Sequence, residues 1–374
     1  MKSNSPRLID IAERAKLSVT SISRILGGQR LSEYSPATQE RVRKIAEEMG
    51  WRPNLVVRGM KTGQTHTFGV FMAPYDTFWT GVVYGIHDTL LDAKQVPLVL
   101  WPHALVHPTL EAADPDGQTQ VAARNNATPG GAGLPGSHVA DPEGSERREL
   151  DRINCLEDRR VDAILSWPLH ERNARERLTM LSSRGWRVVT IDDALPAPAK
   201  SIYVGGDETG TMRTVRDHLA GLGHQRVAYV GVDRQHTWAR RRKAAFAEVW
   251  PDRDACPMLD LEYDDGSCSG EALAFIQAHP RTTAVVAATD HLARQITRAL
   301  MQAGRCVPDD LSIVGYGNDA FGSGDVPLTT VDQQPYEVGC VAARVALQKI
   351  KPQDRQVLVP TRLLTRRSTQ PAKG

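Results

Sequence analysis

Seven short apolar runs, spaced so that helix-length segments fit between most of them, recur from Thr67 to Tyr316: TFGVFM, VPLVLW, VDAILSW, WRVVTID, RVAYVGV, AVVAATD and LSIVGY. Runs that are apolar on both faces and separated by helical stretches point to parallel sheets covered by helices. Ligands of such open sheets bind beyond the carboxyl ends of the strands, so the informative residues of this part should follow those runs. At about 150 residues per domain, 374 residues allow two to three domains. With 41% apolar and 24% charged residues the chain can bury a sizeable core. No window approaches the roughly 18 uncharged apolar residues of a membrane span. The start, MKSNSPRLIDIAERA, lacks the apolar core of a secretory signal. The five cysteines (155, 256, 268, 306 and 340) form no CxxC pair and read as reduced thiols of a cytoplasmic protein. Membrane spans, collagen, disulfide scaffolds and wholesale disorder are thereby excluded.

The net charge of +2 conceals an asymmetry: residues 1–66 hold 12 Lys and Arg against 6 Asp and Glu, and the remaining 308 hold 34 against 38. A basic head on a mildly acidic body suggests that the head alone meets a polyanion, or carries a solvated basic surface. Its hydrophobic spacing separates the two. Leu8, Ile11, Ala12 and Ala15 share one helical face. Ser18 is a fit N-cap for a second helix, 19–26, that turns Val19, Ile22, Ile25 and Leu26 inward and Thr20, Ser21 and Arg24 outward. Gly27-Gly28 ends it, and Ser35-Pro36 opens a third helix, to about Gly50, with Val42, Ile45, Ala46 and Met49 inward. Two short helices with a tight turn and a third closing the core is the helix-turn-helix plan, whose second helix enters the DNA major groove.

LIDIAERAKLSVTSISRILGG, SPATQERVRKIAEEMGWRPN and VVRGMKTGQTHTFGV, followed by VDAIL, VGGDETGTMRTVRDHLAGLGHQRVAYVG, AATD, DLSIVGYGN and PLTTVDQQ in the same order, resemble the lactose-repressor (LacI/GalR) family of bacterial transcription regulators. The resemblance spans the chain except about 103–144. It implies an all-α helix-turn-helix headpiece (1–53), a hinge helix or linker (54–66), and an α/β effector-binding and dimerisation body (67–374). That body would hold two doubly wound parallel-sheet subdomains, like periplasmic binding proteins: about 67–190 plus 333–358, and about 191–331 plus the tail. It further implies a homodimer on a pseudo-palindromic double-stranded operator. Val19, Thr20 and Arg24 then hold the base-reading places, Arg24 suited to a guanine and Thr20 to a hydrogen bond. Val19 either meets a thymine methyl or packs inside the head. Ser18, Ser23 and Arg30 are candidate phosphate contacts. In NLVVRGMK (54–61), Asn54, Val57 and Met60 match the hinge, with Met60 as the apolar wedge. Gly59 costs that helix about 1 kcal/mol relative to alanine, so a hinge that folds only on DNA is expected.

In the body the candidate effector residues follow the strand runs: Asp76, Phe78, Trp79, Trp167, Trp238, Arg242, Asp290 and Asn318. Aromatic rings with a few polar groups suit a sugar or sugar derivative, though the tryptophans fit core packing equally well. By resemblance Arg242 is the effector-clamping arginine. Gly317 stands where many members carry a ligand-binding aspartate, which leaves a sugar phosphate or acid, held by Arg240, Arg241 and Arg242, as a rival. Residues 103–144 hold 11 Gly and Pro and no aromatic residue, the composition of a flexible insertion before a helix starting near Glu146. His103 and His107 stand four apart but with no third ligand nearby, and no metal or cofactor is expected. The expected function is a ligand-responsive, sequence-specific transcription regulator in the cytoplasm, a repressor of carbohydrate-related genes. The alternative is an α/β binding protein or enzyme with an accessory head. Against it stand the missing export signal and the absence of GxSxG, HExxH and GxxxxGK[ST]. Only TQPAKG follows TRLLTRRS, too little for a heptad helix, so a dimer rather than a tetramer is expected.

Overall fold

A computed structural model describes residues 6–52, 59, 63–72, 77–101, 142–167, 172–232, 237–261, 268–319, 326–352 and 354–373. The chain divides into two compact units, Met1–Thr65 and His66–Gly374. The hinge positions Asn54, Val57 and Met60, most of the glycine-rich stretch, and Asp76 lie outside the described residues.

In the first unit α1 (Leu8–Ala15), α2 (Val19–Leu26) and α3 (Pro36–Glu48) close on a core of Ile11, Ala12, Ala15, Ile22, Ile25, Val42 and Ala46. Lys16 ends α1 in the left-handed conformation, which makes the turn tight. Ser18 and Ser35 cap the next two helices, their hydroxyls accepting from the Ser21 and Thr38 amides at 3.1 and 3.2 Å. Between α2 and α3 a short 3-10 turn, Leu31–Glu33, follows the left-handed Arg30. Val19 departs from the expected packing. It is 42% exposed, because only Ile22, Ile25 and Leu26 are needed to fill the side facing α1 and α3.

The second unit is built on two six-stranded sheets, with strand orders β11-β5-β4-β3-β1-β2 and β12-β10-β9-β8-β6-β7. The seven runs form β1 (Thr67–Phe71), β2 (Val96–Leu100), β3 (Ala163–Ser166), β4 (Val188–Ile191), β6 (Val227–Val232), β8 (Ala284–Ala287) and β9 (Ser312–Tyr316). Between them lie β5 (Ile202–Gly206) and β7 (Met258–Leu261), and after them β10 (Thr329–Asp332), β11 (Gln356–Val359) and β12 (Arg362–Leu364). All pairs are parallel except β10 with β12. The covering helices are α4 (Thr77–Asp92), α5 (Pro142–Asp158), α6 (Arg172–Ser183), α7 (Glu208–Gly221), α8 (Thr237–Val249), α9 (Cys268–Ala278), α10 (Asp290–Gln302) and α11 (Pro335–Ala346).

Two expected boundaries move. The first sheet keeps the chain past residue 190, because β5 pairs with β4 in register Thr190 to Tyr203, and the crossing to the second sheet falls after Gly206. IYVGG is half glycine-ended and follows a proline-bearing loop, so its apolar signal is weak. α5 starts at Pro142, proline being suited to a first helical turn, rather than near Glu146. The chain returns to the first sheet through α11 and β11, then to the second through β12.

α4 and α11 pack backbone to backbone on the first sheet. A Cβ on Gly85 would collide with the Tyr336 carbonyl oxygen, and one on Gly339 would collide with the Val82 carbonyl oxygen. Gly339→Ala is therefore expected to cost about 1–3 kcal/mol by overpacking, read as a lower denaturation midpoint of the intact protein. An unchanged midpoint would show that the two helices can part freely.

The tail is stitched to the second sheet. Ser368 donates to the Ile313 carbonyl at 2.6 Å and accepts from the Thr329 amide at 2.8 Å, and His224 Nε2 lies 2.9 Å from the Gln370 carbonyl. Burial lowers the pKa of both His224 and His218, whose ring meets the Thr369 hydroxyl. A base with a lowered folded pKa is neutral in the fold, and its unfolded counterpart takes up the proton first as pH falls. Stability from these rings is thus complete above the unfolded value of about 6.5 and declines below it. Asp192 titrates with the opposite sign in this range, so the contrast is what counts: from pH 8 to pH 5 the wild type should lose more stability, or gain less, than His224→Gln.

Candidate functional site

On α2, Thr20, Ser23 and Arg24 fall on the face away from Ile22 and Ile25, with Val19 at the edge between the two. Val19 and Thr20 are exposed, and Ser23 and Arg24 are partly exposed. Ser18 is exposed, and its hydroxyl also meets the Ser21 hydroxyl at 2.9 Å. Arg24 and Arg30 converge on one carboxylate that sequence reading passed over. Arg24 Nη1 donates to Glu33 Oε2 at 3.1 Å, and Arg30 Nη1 lies 3.5 Å from Glu33 Oε1.

In the second unit Arg242, on α8, is 3% exposed. Its Nε and Nη2 donate to the two oxygens of Glu208, in the first turn of α7, at 3.1 and 3.0 Å. Nη1 donates to the Ala288 carbonyl at 2.6 Å, and Nη2 also reaches Gln333 Oε1 at 3.3 Å. The guanidinium carbon lies 3.4 Å from the Tyr316 ring centroid and 5.0 Å from that of Trp238, and the Tyr316 hydroxyl donates to Glu208 at 2.9 Å. Burial alone would lower the pKa of Arg242, but the fork with Glu208 more than reverses this and raises it.

Beside this pair lie two further buried polar groups, Asp192 and Tyr229. Asp192 follows β4 in the left-handed conformation, its side chain 7% exposed. Burial raises its pKa to about 7, although Arg242 and Arg241 pull the other way. The Tyr229 hydroxyl on β6 is buried and unsatisfied, and burial pushes its pKa up. Arg241 stacks on Tyr203 of β5 at 4.2 Å, so the first sheet meets the second half here.

The other expected effector residues fall into separate groups. Asp290 is buried at the start of α10. Its carboxylate accepts from the Thr330 hydroxyl at 2.6 Å and the Asp319 amide at 2.9 Å, and burial raises its pKa. Asn318 accepts from Arg366 Nη2 at 2.7 Å, at the tail. Trp79 and Trp167, 3% and 5% exposed, stack at 4.3 Å in the core of the first half, with the Phe78 ring edge-on to Trp79 at 4.9 Å. Thr77 donates to Asp319 at 3.2 Å, a second tie between the halves. Sequence reading missed Asp192, Glu208, Tyr203, Tyr316 and Asp319. Asp192 was within reach, because it ends the run WRVVTID, whereas Glu208 carries no signal until α8 is folded over it.

A basic helix-turn-helix head joined to a two-sheet body with buried polar groups where its halves meet is the build of a ligand-responsive, DNA-binding transcription regulator. Residues 7–54 match the family described as bacterial regulatory proteins, lacI family, and residues 216–369 match the periplasmic binding protein-like domain. Similar proteins include the HTH-type transcriptional repressor PurR of Aliivibrio fischeri, 24% identical over 360 residues and covering 93% of this chain and 92% of that one. The HTH-type transcriptional regulator CelR of Thermobifida fusca is 25% identical over 383 residues, covering 97% and 98%. Among solved structures, the Lac repressor dimer bound to operator and the anti-inducer ONPF superposes with a TM-score of 0.68, at 20% identity, covering 98% of this chain and 100% of that one. A CelR–cellobiose complex gives 0.59 at 22% identity, covering 97% and 100%. The head therefore carries the lacI-family domain, and part of the body carries the periplasmic binding protein-like domain. Its relatives are transcription regulators rather than enzymes, and no helix among the described residues is long and apolar enough to cross a membrane.

The fork between Arg242 and Glu208 has a measurable consequence. Arg242→Ala would leave Glu208 buried without its counter-charge, at a cost of about 3–5 kcal/mol. The double replacement Arg242→Met with Glu208→Leu should recover most of that loss, since it removes both charges at similar volume. Chemical denaturation of the three variants decides. Equal destabilisation of single and double variants would mean that the pair is not the source of the cost.

Proposed function

We propose that this chain represses carbohydrate-related genes in the bacterial cytoplasm, binding as a homodimer to a pseudo-palindromic operator and responding to a small effector without turning it over. The observation that carries this is the face of α2, where Val19, Thr20, Ser23 and Arg24 stand out from a well-packed three-helix head of positive charge. Arg24 would read a guanine, Thr20 would hydrogen-bond a base, and Val19, being exposed, would meet a thymine methyl. Ser18, Ser23 and Arg30 would contact phosphates, while Asn54, Val57 and Met60 would form the hinge in the minor groove, Met60 as its wedge.

For the effector, the internal neutralisation of Arg242 favours a neutral, hydroxyl-bearing molecule of the sugar class over a sugar phosphate or acid. Such a ligand could donate to Asp192 and accept from Tyr229, whose hydroxyl is otherwise unsatisfied. Of the earlier candidates, Trp238, Arg242, Asp290 and Asn318 would line or support this site. Phe78, Trp79 and Trp167 would form its wall from the first half; Asp76 remains a candidate from the sequence alone.

Selecting bound duplexes from a random pool at fixed salt tests the reading. Arg24→Ala should cost about 1–3 kcal/mol on the selected duplex and relax preference at one base pair per half-site. A uniform loss across all single-base variants would make Arg24 a phosphate contact instead.

A further inference from the structure

Glu33 sits on the 3-10 turn Leu31–Glu33, and that turn is held rigidly to the head. The Glu33 amide donates to the Arg30 carbonyl at 3.1 Å, and the Gln39 side chain on α3 donates to the Leu31 and Tyr34 carbonyls at 2.9 and 3.0 Å. The turn thus presents a carboxylate beside the outer face of α2. Each of its oxygens takes one arginine, Arg24 at 3.1 Å and Arg30 at 3.5 Å. The three side chains remain solvent-accessible, with Arg24 35%, Glu33 44% and Arg30 66% exposed. An ion pair in that much water adds little to stability. Its effect is felt when DNA arrives.

We infer that Glu33 is a specificity-determining positioning residue, which orients Arg24 for a base while weakening the attraction of Arg24 and Arg30 to phosphates. This rests on the reading of Arg24 as a base contact. Glu33 engages Nη1 of Arg24, so the edge formed by Nε and Nη2 stays available for the two acceptors of a guanine. Holding the guanidinium plane in advance lowers the ordering cost of that contact. The same carboxylate reduces the charge of the arginine pair from two to one, and this lowers affinity for every phosphate regardless of sequence. One effect favours the correct base and the other disfavours all DNA, so both raise the ratio of specific to non-specific binding.

The test uses the intact protein, a duplex selected from a random pool by the wild type, its single-base variants, and a random duplex of equal length. Glu33→Gln keeps the shape of the side chain and removes its charge. Discrimination at the guanine read by Arg24 should fall about fivefold, the lower end of what a bidentate contact supplies. Affinity for the random duplex should rise, with the logarithmic salt slope steeper by about 1. In an Arg24→Ala background Glu33→Gln should leave discrimination unchanged. If Arg24→Ala relaxes base preference but Glu33→Gln does not, the role given to Glu33 is overturned and that of Arg24 stands. If Arg24→Ala leaves base preference intact, the underlying reading of Arg24 fails and the inference falls with it. An unaltered denaturation midpoint for Glu33→Gln separates these effects from misfolding.

Discussion

The buried fork between Arg242 and Glu208 ties together five segments of the second unit. Arg242 comes from α8, Glu208 from the start of α7, the Ala288 carbonyl from the end of β8, Tyr316 from β9 and Gln333 from the crossing after β10. Each charge satisfies the other in a place where either alone would be expensive. The pair therefore fixes where the strands of the second sheet end relative to its helices, and those ends are where a ligand of an open α/β sheet would sit. Arg241, one residue earlier, stacks on Tyr203 of the first sheet, so the same helix turn that builds the second half also touches the first.

Most of the fold could be read before it was seen, for a physical reason. Strands buried on both faces must be apolar throughout, and all seven runs became strands in the expected order. The strands that escaped are edge or late elements such as QVLV, RLL and MLDL, whose side chains are partly exposed and so carry polar residues. β5 escaped although it is buried, because IYVGG ends in glycine. In the head, the caps Ser18 and Ser35 were legible because capping is a local interaction. The position of Val19 was not, because a helical face tells which residues could pack inward and leaves open which of them the neighbouring helices reach.

The functional groups divide along the same line. Arg242 was legible as a residue, but its partner lies 34 positions earlier and no sequence periodicity links the two. A guanidinium read from sequence looks like a free cation waiting for an anion, whereas in the fold its charge is already answered. Asp290 changes in the same way. Its carboxylate holds Thr330 and the Asp319 amide, which makes it a brace for the loop after β9. Trp79 and Trp167 stack on each other with almost no exposure, so most of their surface serves the core of the first half. Beside the fork lie the Asp192 carboxyl, at the end of a legible strand run, and the unsatisfied Tyr229 hydroxyl, which does not stand out in the sequence.

The neutral character of this junction is the feature on which the effector reading turns. Calorimetric titration of the intact protein with a panel of neutral sugars and their phosphate esters, repeated in the presence of a selected operator duplex, tests it most directly. A neutral sugar should bind and change operator affinity, because a ligand shifts an equilibrium only through different contacts in the two states. Its phosphate ester should bind more weakly. Tighter binding of the ester would contradict the internal neutralisation of Arg242 and return that arginine to the role of an anion clamp.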